Sequence, residues 1–439
     1  MGGMTAWADS FRIYLHPRVL AVLLLGFSSG LPLALTGATL AVRLTEANVS
    51  LADIGLFALV ATPYSLKFLW APLIDRLPLP LLTRLFGRRR GWMLATQAAL
   101  MAALAALGAI DPLTDPWSTA LLAFVVAFCS ASQDIVIDAY RVEILKPEQY
   151  GAGAAVVQLG YRIAMLVAGA GALFMAARMP WSTVYLAMAA LIAIGVVTVL
   201  VNPEPAAAPP APIAPGAPLG QRVLTWAEDA IANPFLDMVR RHGWTVVAIL
   251  AFVLLYKLGD ALAGAMANPF YIKAGFSKDE IAAVSKLFGF AATIIGSFVG
   301  GAVVARLGTF RALLLCGVLQ MLSNLMFAAQ AVVGHDVGFL TLTIAIENLT
   351  GGMGSAAFVA YISGLCNVSY TGTQYALLSS IASLGRTTLA STGGKLVEQF
   401  GWVNFFILST VAALPGLVLL LWLMRRGTGA GLAVESGRA

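Results

Sequence analysis

The chain has 439 residues, 59% hydrophobic and only 11% charged, with a mean hydropathy of +0.86. Soluble domains carry about a quarter charged residues, so this composition excludes a soluble enzyme with an anchor and indicates a polytopic membrane protein. The net charge of +6 falls on loops rather than on a soluble domain, which argues against nucleic acid as a partner.

Apolar runs of about twenty residues, the length that crosses a bilayer as helix, set the predicted elements in chain order. Span one (18–43) carries Gly26 and Gly30 in the GxxxG spacing that brings helices close, and Pro32. Span two (52–75) contains Lys67 between Pro63 and Pro72, and span three (91–110) carries no charge. Span four (117–140) holds Asp134 and Asp138 four residues apart, hence on one helix face, with Gln133 and Tyr140 beside it. Two carboxylates one turn apart at a poorly hydrated site are a proton-coupling candidate. Lys67 lies about 12 Å from Asp75 along its helix, and Asp134 about 10 Å from Arg141, at ~1.5 Å per residue. A Lys67–Asp134 or Lys67–Asp138 pair is therefore expected, either as a proton-sensitive switch or as a static ion pair, with an Asp138–Arg141 bond as the alternative. Span five (152–177) holds Gln158, Tyr161 and Arg162, and span six (181–201) no charge.

Residues 203–219, PEPAAAPPAPIAPGAPL, form a Pro/Ala tract that cannot pack a core and divides the spans six and six. After it, 221–241 reads as a short amphipathic helix broken near Pro234, or as a surface linker. Span seven (244–271) carries Tyr256, with Lys257 and Asp260 one turn apart. Span eight (280–305) holds Lys286 and a second GxxxG, Gly296 and Gly300; span nine (311–333) is uncharged. Span ten (338–365) holds Glu347, Asn348 and Tyr361, and a Lys286–Glu347 pair is expected. Span eleven (374–397) holds Gln374, Arg386 near the depth of Arg162, and Lys395, which is close enough to the surface to snorkel. Span twelve (402–424) is uncharged. The expected organisation is an N-terminal six-helix bundle (1–202), a cytoplasmic linker (203–242) and a C-terminal bundle with a short tail (243–439).

The interior charges fall in spans two, four, five, seven, eight, ten and eleven, never in three, six, nine or twelve. A charge at membrane depth costs several kcal/mol unless it faces a partner or a water-filled cavity. Some spans therefore line a polar interior while every third is a plain wall, the rhythm of a repeat-built transporter. Arg162 and Arg386 would hold an anionic cargo from equivalent spans of the two halves. Basic residues crowd one set of loops (Arg76, Arg84, Arg88–Arg90, Arg240, Arg241, Arg306, Arg311), which places that face and both termini in the cytoplasm. The N-terminus reads as a full span rather than a cleavable signal. Cys129, Cys316 and Cys366 fit no metal site, and His16, His242 and His335 lie outside the spans with no nucleophile at useful spacing. No cofactor, metal or enzymatic role is expected.

APLIDRLPLPLLTRLFGRRR (71–90) follows span two, and GGAVVARLGTFRALL (300–314) follows span eight. The first resembles the 2–3 loop motif of the major facilitator superfamily (MFS) at Asp75, Arg76, Gly87 and Arg88–Arg90, although Ala71 or Pro72 stands where the family has its first Gly. The resemblance implies a charge latch at Asp75, Arg76 and Arg88. PYSLKFLWAPLIDR (63–76), GRRRGWML (87–94), SASQDIVIDAYRVEIL (130–145), YKLGDALAGAM (256–266), IENLTGGMGSAAFVAYISGLCN (346–367) and QYALLSSIASLGR (374–386) together resemble the AmpG-type muropeptide permeases of Gram-negative inner membranes. That resemblance implies an MFS fold of twelve helices in two pseudo-symmetric six-helix bundles. It also implies proton-coupled import of GlcNAc-1,6-anhydro-MurNAc peptides for cell-wall recycling, linked to β-lactamase induction. Cargo of this kind assigns Arg162, Arg386, Lys257 and Asp260 to substrate, with Gln133, Tyr140, Gln158, Tyr161, Tyr256, Asn348, Tyr361 and Gln374 lining the site, and Asp134, Asp138 and Lys67 to proton coupling. The expected partners are a muropeptide, a proton and the lipid bilayer, with the protein monomeric. A carrier of another bulky anion such as acetyl-CoA, or a non-transporting membrane sensor, are the alternatives.

Overall fold

Without water at membrane depth, a spanning segment must satisfy its own backbone, and a helix does so within one segment. A computed structural model describes residues 13–47, 49, 57–206, 228–277, 280–390 and 392–426, and every regular element among these is helical. Span one is Pro17–Thr36 continued by Ala38–Glu46. Span three is Arg88–Ala109 and span four Pro116–Ile144. Span five begins as Tyr150–Leu166 and ends as Ala172–Ala176, and span six is Trp181–Leu191 with Ala193–Val201. In the second half, span seven is Thr245–Leu255 with Leu258–Lys273, span eight ends in Gly289–Leu307, and span nine is Thr309–Val333. Spans ten and eleven are Val337–Leu365 and Thr371–Ala390, and span twelve closes as Leu414–Arg425.

Among the described residues nine helices are individually long and apolar enough to cross a membrane, and spans ten and eleven pass together across a 95° bend. Span two is the exception. Its described part is segmented into Phe57–Ala61, Thr62–Leu66, Lys67–Leu69 and Ala71–Arg76. Pro63 and Pro72 each sit in the first turn of a piece, where a missing N–H is tolerated. The expected end of span eleven also differs. Lys395 belongs to Gly393–Ala412, a helix kinked at Gly401 (φ 73°), and it is exposed there.

Small residues set the closest packing, as van der Waals contact drives helix association in lipid. A Cβ at Gly30 would fall 2.4 Å from the Tyr161 carbonyl oxygen, so span one lies directly on span five. A Cβ at Gly296 would fall 2.0 Å from the Leu349 carbonyl oxygen, which fixes span eight on span ten. Elsewhere large side chains fill each half: Leu100, Leu104, Val126 and Tyr185 in the first, and in the second the ring stacks Tyr256–Phe358 and Phe327–Phe406.

The linker is described again from residue 228, where the π-helical turn Glu228–Ala232 runs into the helix Asn233–His242, with Pro234 in its first turn; the expected helix start at 221 lies outside the described residues. The tract 207–219 lies outside the described residues, yet its first residues depart from the unpacked reading. Tyr140 Oη donates to the Pro203 carbonyl (3.0 Å), and Glu204 accepts from the backbone N–H groups of Arg89 (2.8 Å) and Arg90 (3.0 Å). Glu204 thereby caps the open N-terminus of span three, where a carboxylate is favoured by the helix dipole.

Candidate functional site

Span four is a single continuous helix, started by Asp115, whose carboxylate accepts the Ser118 N–H (3.0 Å). The Ser118 contact holds this loop carboxyl below the usual range. The continuity of the helix puts Asp134 and Asp138 on one face. Lys67 projects from the break in span two, and its Nζ lies 3.5 Å from Asp138 Oδ2, while Arg141 Nη2 lies 3.4 Å from Asp138 Oδ1. The two pairings that the spacing left open for Asp138 therefore coexist. Asp134 instead accepts from Ser29 Oγ of span one at 2.5 Å. Trp70 Nε1 donates to Ser132 Oγ (3.0 Å) and pins the broken span two to span four.

Lys257 occupies a second break, at the N-terminus of Leu258–Lys273. Its Nζ donates to Gln320 Oε1 (2.9 Å) and to the Gly351 carbonyl (3.4 Å), and lies 3.5 Å from Asp260 Oδ2. Gln320 belongs to span nine, so that uncharged span is not a plain wall. It supplies the partner of a buried ammonium.

Between the halves lies a cavity of about 280 Å³. Arg162 of span five reaches it from the first half; Asn268, Tyr271, Thr293, Phe327, Glu347 and Asn348 line it from the second. Thr293 Oγ1 donates to Asn348 Oδ1 (2.7 Å), and Asn348 Nδ2 to Glu347 Oε2 (3.0 Å), which orients the carboxylate. Gln158 is one turn from Arg162 and part-exposed like it, and Tyr161 precedes it on span five. The side chains of Lys286 and Arg386 lie outside the described residues, and so does the expected Lys286–Glu347 pair.

Five of the aromatic and amide positions assigned to the cargo have other surroundings. Tyr140 is tied to Pro203, and Tyr256 Oη donates to the Leu313 carbonyl (2.9 Å) inside the second half. Tyr361 packs edge-on against Phe252 in that core. Gln374 donates through Nε2 to the Pro234 carbonyl (2.8 Å) and to Asp237 (2.9 Å) of the linker helix. Gln133 is fully buried, without a side-chain hydrogen-bond partner among the described residues and outside the cavity lining. Spacing fixed the depth of these residues but not the direction each side chain takes.

The face carrying the 2–3 loop is closed by contacts between the halves. Asp75, fully buried, accepts from Thr373 N and Thr373 Oγ1 (3.0 Å each) at the start of span eleven, and from Arg89 Nη2 (2.6 Å). Arg89 also pairs with Glu143 (2.5 Å). The arginine behind Asp75 is thus Arg89 rather than Arg88, whose Nε has no hydrogen-bond partner among the described residues. A helix admits one of three consecutive residues to its buried face, and Gly87 (φ 90°) sets which. Arg76 stacks on the Tyr370 ring (4.5 Å). Arg141 donates to Ser363 Oγ (3.2 Å) and lies over the Tyr375 ring (5.1 Å). Glu143, Glu204, Ser29 and Gln320 were missed; for Glu143 the signal was present, an acidic residue five positions beyond Asp138 in the same quoted stretch.

Two helical halves, closed against each other at one face and enclosing a charged cavity, define a membrane transporter. The Major Facilitator Superfamily profile matches residues 22–259 and 254–438. The anhydromuropeptide permease of Escherichia coli strain K12 is 44% identical over 413 residues, covering 93% of this chain and 80% of the relative. The putative transporter AmpG 4 of Rickettsia felis is 36% identical, covering 94% and 98%. Among solved structures, FucP in an outward conformation superposes with a TM-score of 0.67 at 13% identity over 93% of this chain and 99% of that one. The proton:xylose symporter XylE gives 0.66 at 11% over 94% and 95%; both likenesses concern the fold alone. The chain belongs to the Major Facilitator Superfamily and, within it, to the AmpG-type permeases.

Proposed function

We propose that this protein imports GlcNAc-1,6-anhydro-MurNAc peptides across a bacterial inner membrane, driven by protons, for cell-wall recycling. The observation that carries the reading is 44% identity, over 93% of the chain, with a permease named for anhydromuropeptides. The cavity chemistry supports it. A disaccharide with a carboxylate-bearing peptide needs cations, amides and room, and Arg162, Asn268 and Asn348 meet around one space. Arg386, in the equivalent span of the other half, is the second cation for cargo carboxylates, and Lys257 with Asp260 the third charged element.

Asp134, Asp138 and Lys67 carry the proton. The Ser29 hydrogen bond to Asp134 and the two ion pairs of Asp138 are charge-assisted, so protonation weakens them. Basic loops put the closed face and both chain ends in the cytoplasm. Asp75 and Arg76, backed by Arg89, latch that face while the cavity receives cargo from the periplasm. The halves 1–202 and 243–439, joined by 203–242, then rock about the cavity within a monomer. Import of these fragments feeds the signal for β-lactamase induction.

Uptake of labelled anhydro-muropeptide into proteoliposomes, with and without an inward proton gradient, tests the reading. Accumulation above the external concentration is expected only with the gradient. Equal uptake in both conditions removes the proton; no uptake of muropeptide alongside uptake of acetyl-CoA replaces the cargo.

A further inference from the structure

The cavity contains two charged groups that stand in no ion pair among the described residues. The Arg162 guanidinium has no hydrogen-bond or ion-pair partner among the described residues, although its length and planar fork suit a carboxylate. Glu347, on the facing wall, likewise stands in no ion pair among the described residues; the side-chain hydrogen bond it accepts there comes from the neighbouring Asn348 amide. The other interior charges whose side chains are described differ, apart from Asp134, which is likewise in no ion pair and is held by Ser29 Oγ (2.5 Å). Lys67, Asp138, Lys257 and Asp260 all stand in ion pairs. Leaving a charge unpaired at membrane depth costs several kcal/mol, and among the described residues one cation and one anion stand so on the walls of a single space. A purely anionic cargo explains Arg162 but is repelled by Glu347.

We infer that Arg162 and Glu347 form a zwitterion subsite, taking a carboxylate and a free ammonium borne by the same terminal amino-acid unit of the cargo. Arg162 accepts the carboxylate as a two-pronged donor. Glu347 takes the ammonium, oriented by the Thr293–Asn348 hydrogen-bond chain behind it. The consequence is selectivity for peptides ending in a diamino diacid, whose side chain presents both charges on one carbon, over peptides with a blocked amine. This rests on the muropeptide reading above and adds a positive charge to what the cargo must display.

The test is equilibrium binding to the purified full-length protein in detergent. The ligands are the anhydro-disaccharide with a peptide ending in a free diamino diacid, the same compound N-acetylated on the side-chain amine, and the peptide-free anhydro-disaccharide. The proteins are wild type, Glu347→Gln, Glu347→Asp and Arg162→Gln, each checked for an unchanged melting profile. In the wild type, N-acetylation should weaken binding about ten- to a hundredfold, the worth of one charge-assisted contact. Glu347→Gln should bind the free and acetylated peptides alike, and Glu347→Asp should restore part of the preference. Arg162→Gln should weaken both peptides and leave the peptide-free disaccharide unchanged. If the wild type binds the acetylated peptide as tightly as the free one, or Glu347→Gln keeps the full preference, the subsite is wrong while the muropeptide reading stands. If no compound of the series binds the wild type, the muropeptide reading falls and takes the subsite with it.

Discussion

Replacing Asp75 by Asn probes the closed face at its most buried point. Asp75 makes three contacts, but only the two to Thr373 cross between the halves; the bond from Arg89 stays within the first half and persists in any rocking movement. Each crossing bond is charge-assisted and contributes about 1.5 kcal/mol at the low end of its range. Their joint loss is about 3 kcal/mol, which shifts the ratio of closed to open at this face about a hundredfold. An Asn side chain also offers an N–H₂ that faces the Thr373 and Arg89 donors, so it cannot reproduce the geometry. The assay is a spin-label distance measurement between cysteines at Leu77 and Val368, both exposed at this face, with Cys129, Cys316 and Cys366 replaced. Asp75→Asn is expected to move the distance distribution toward longer separations, and Thr373→Val, which keeps the backbone N–H, to do so by about half as much in energy. An unchanged distribution in both variants refutes the idea that these bonds hold the face closed.

Three further outcomes are expected. Asp134→Asn or Asp138→Asn should abolish gradient-driven accumulation in proteoliposomes without loss of folded protein; retained accumulation in both removes them from the proton path. Gly296→Ala places a methyl against the Leu349 carbonyl and should destabilise the protein by about 1–3 kcal/mol, read as a lowered melting temperature, whereas Gly264→Ala, where nothing lies within 4 Å, should not. His242, at the end of the linker helix, is held below the ordinary histidine range by burial and by Arg241. Its folded form resists protonation, so its contribution to linker docking is present above the ordinary histidine range and lost as pH falls through and below it; hydrogen exchange in 233–242 should rise on acidification, and less so in His242→Gln.

The spans were legible because twenty apolar residues have one solution in lipid. The interior charges were legible because their cost marks them wherever they occur. Rotation about each helix axis was not. Asp138 reached both of its candidate partners because Lys67 and Arg141 sit at compatible depths, but Asp134 found Ser29, a residue of span one that no spacing links to span four. Tyr256 and Tyr361 looked like cargo contacts because aromatic residues suit sugars; their rings turn instead into the second half's core. The run Arg88–Arg90 offered three similar charges, and a helix register started by Gly87 chose the middle one. The sequence pattern separated the halves at the Pro/Ala tract, yet gave no sign that Glu204 would serve as a helix cap, since capping depends on where the tract re-enters the fold.

The contact of span one with span five has a mechanical meaning. Gly26 and Gly30 leave no side chain between their helix and the carbonyls of Val157 and Tyr161, and Gly160 returns the favour against Leu23. The two helices are therefore a single stiff strut. Ser29, which donates to Asp134, rides on one helix of that strut, and Arg162, which lines the cavity, on the other. On the proposed roles of these residues, a tilt imposed at the cargo passes through this contact to the serine, and a release at the carboxylate passes back to the guanidinium. On the proposed proton role of Asp134, broadening what the carrier accepts by loosening this seam would also let the proton slip past unaccompanied, so variants with wider appetite should arise at the opposite wall, around Asn268 and Thr293, and leave the strut alone.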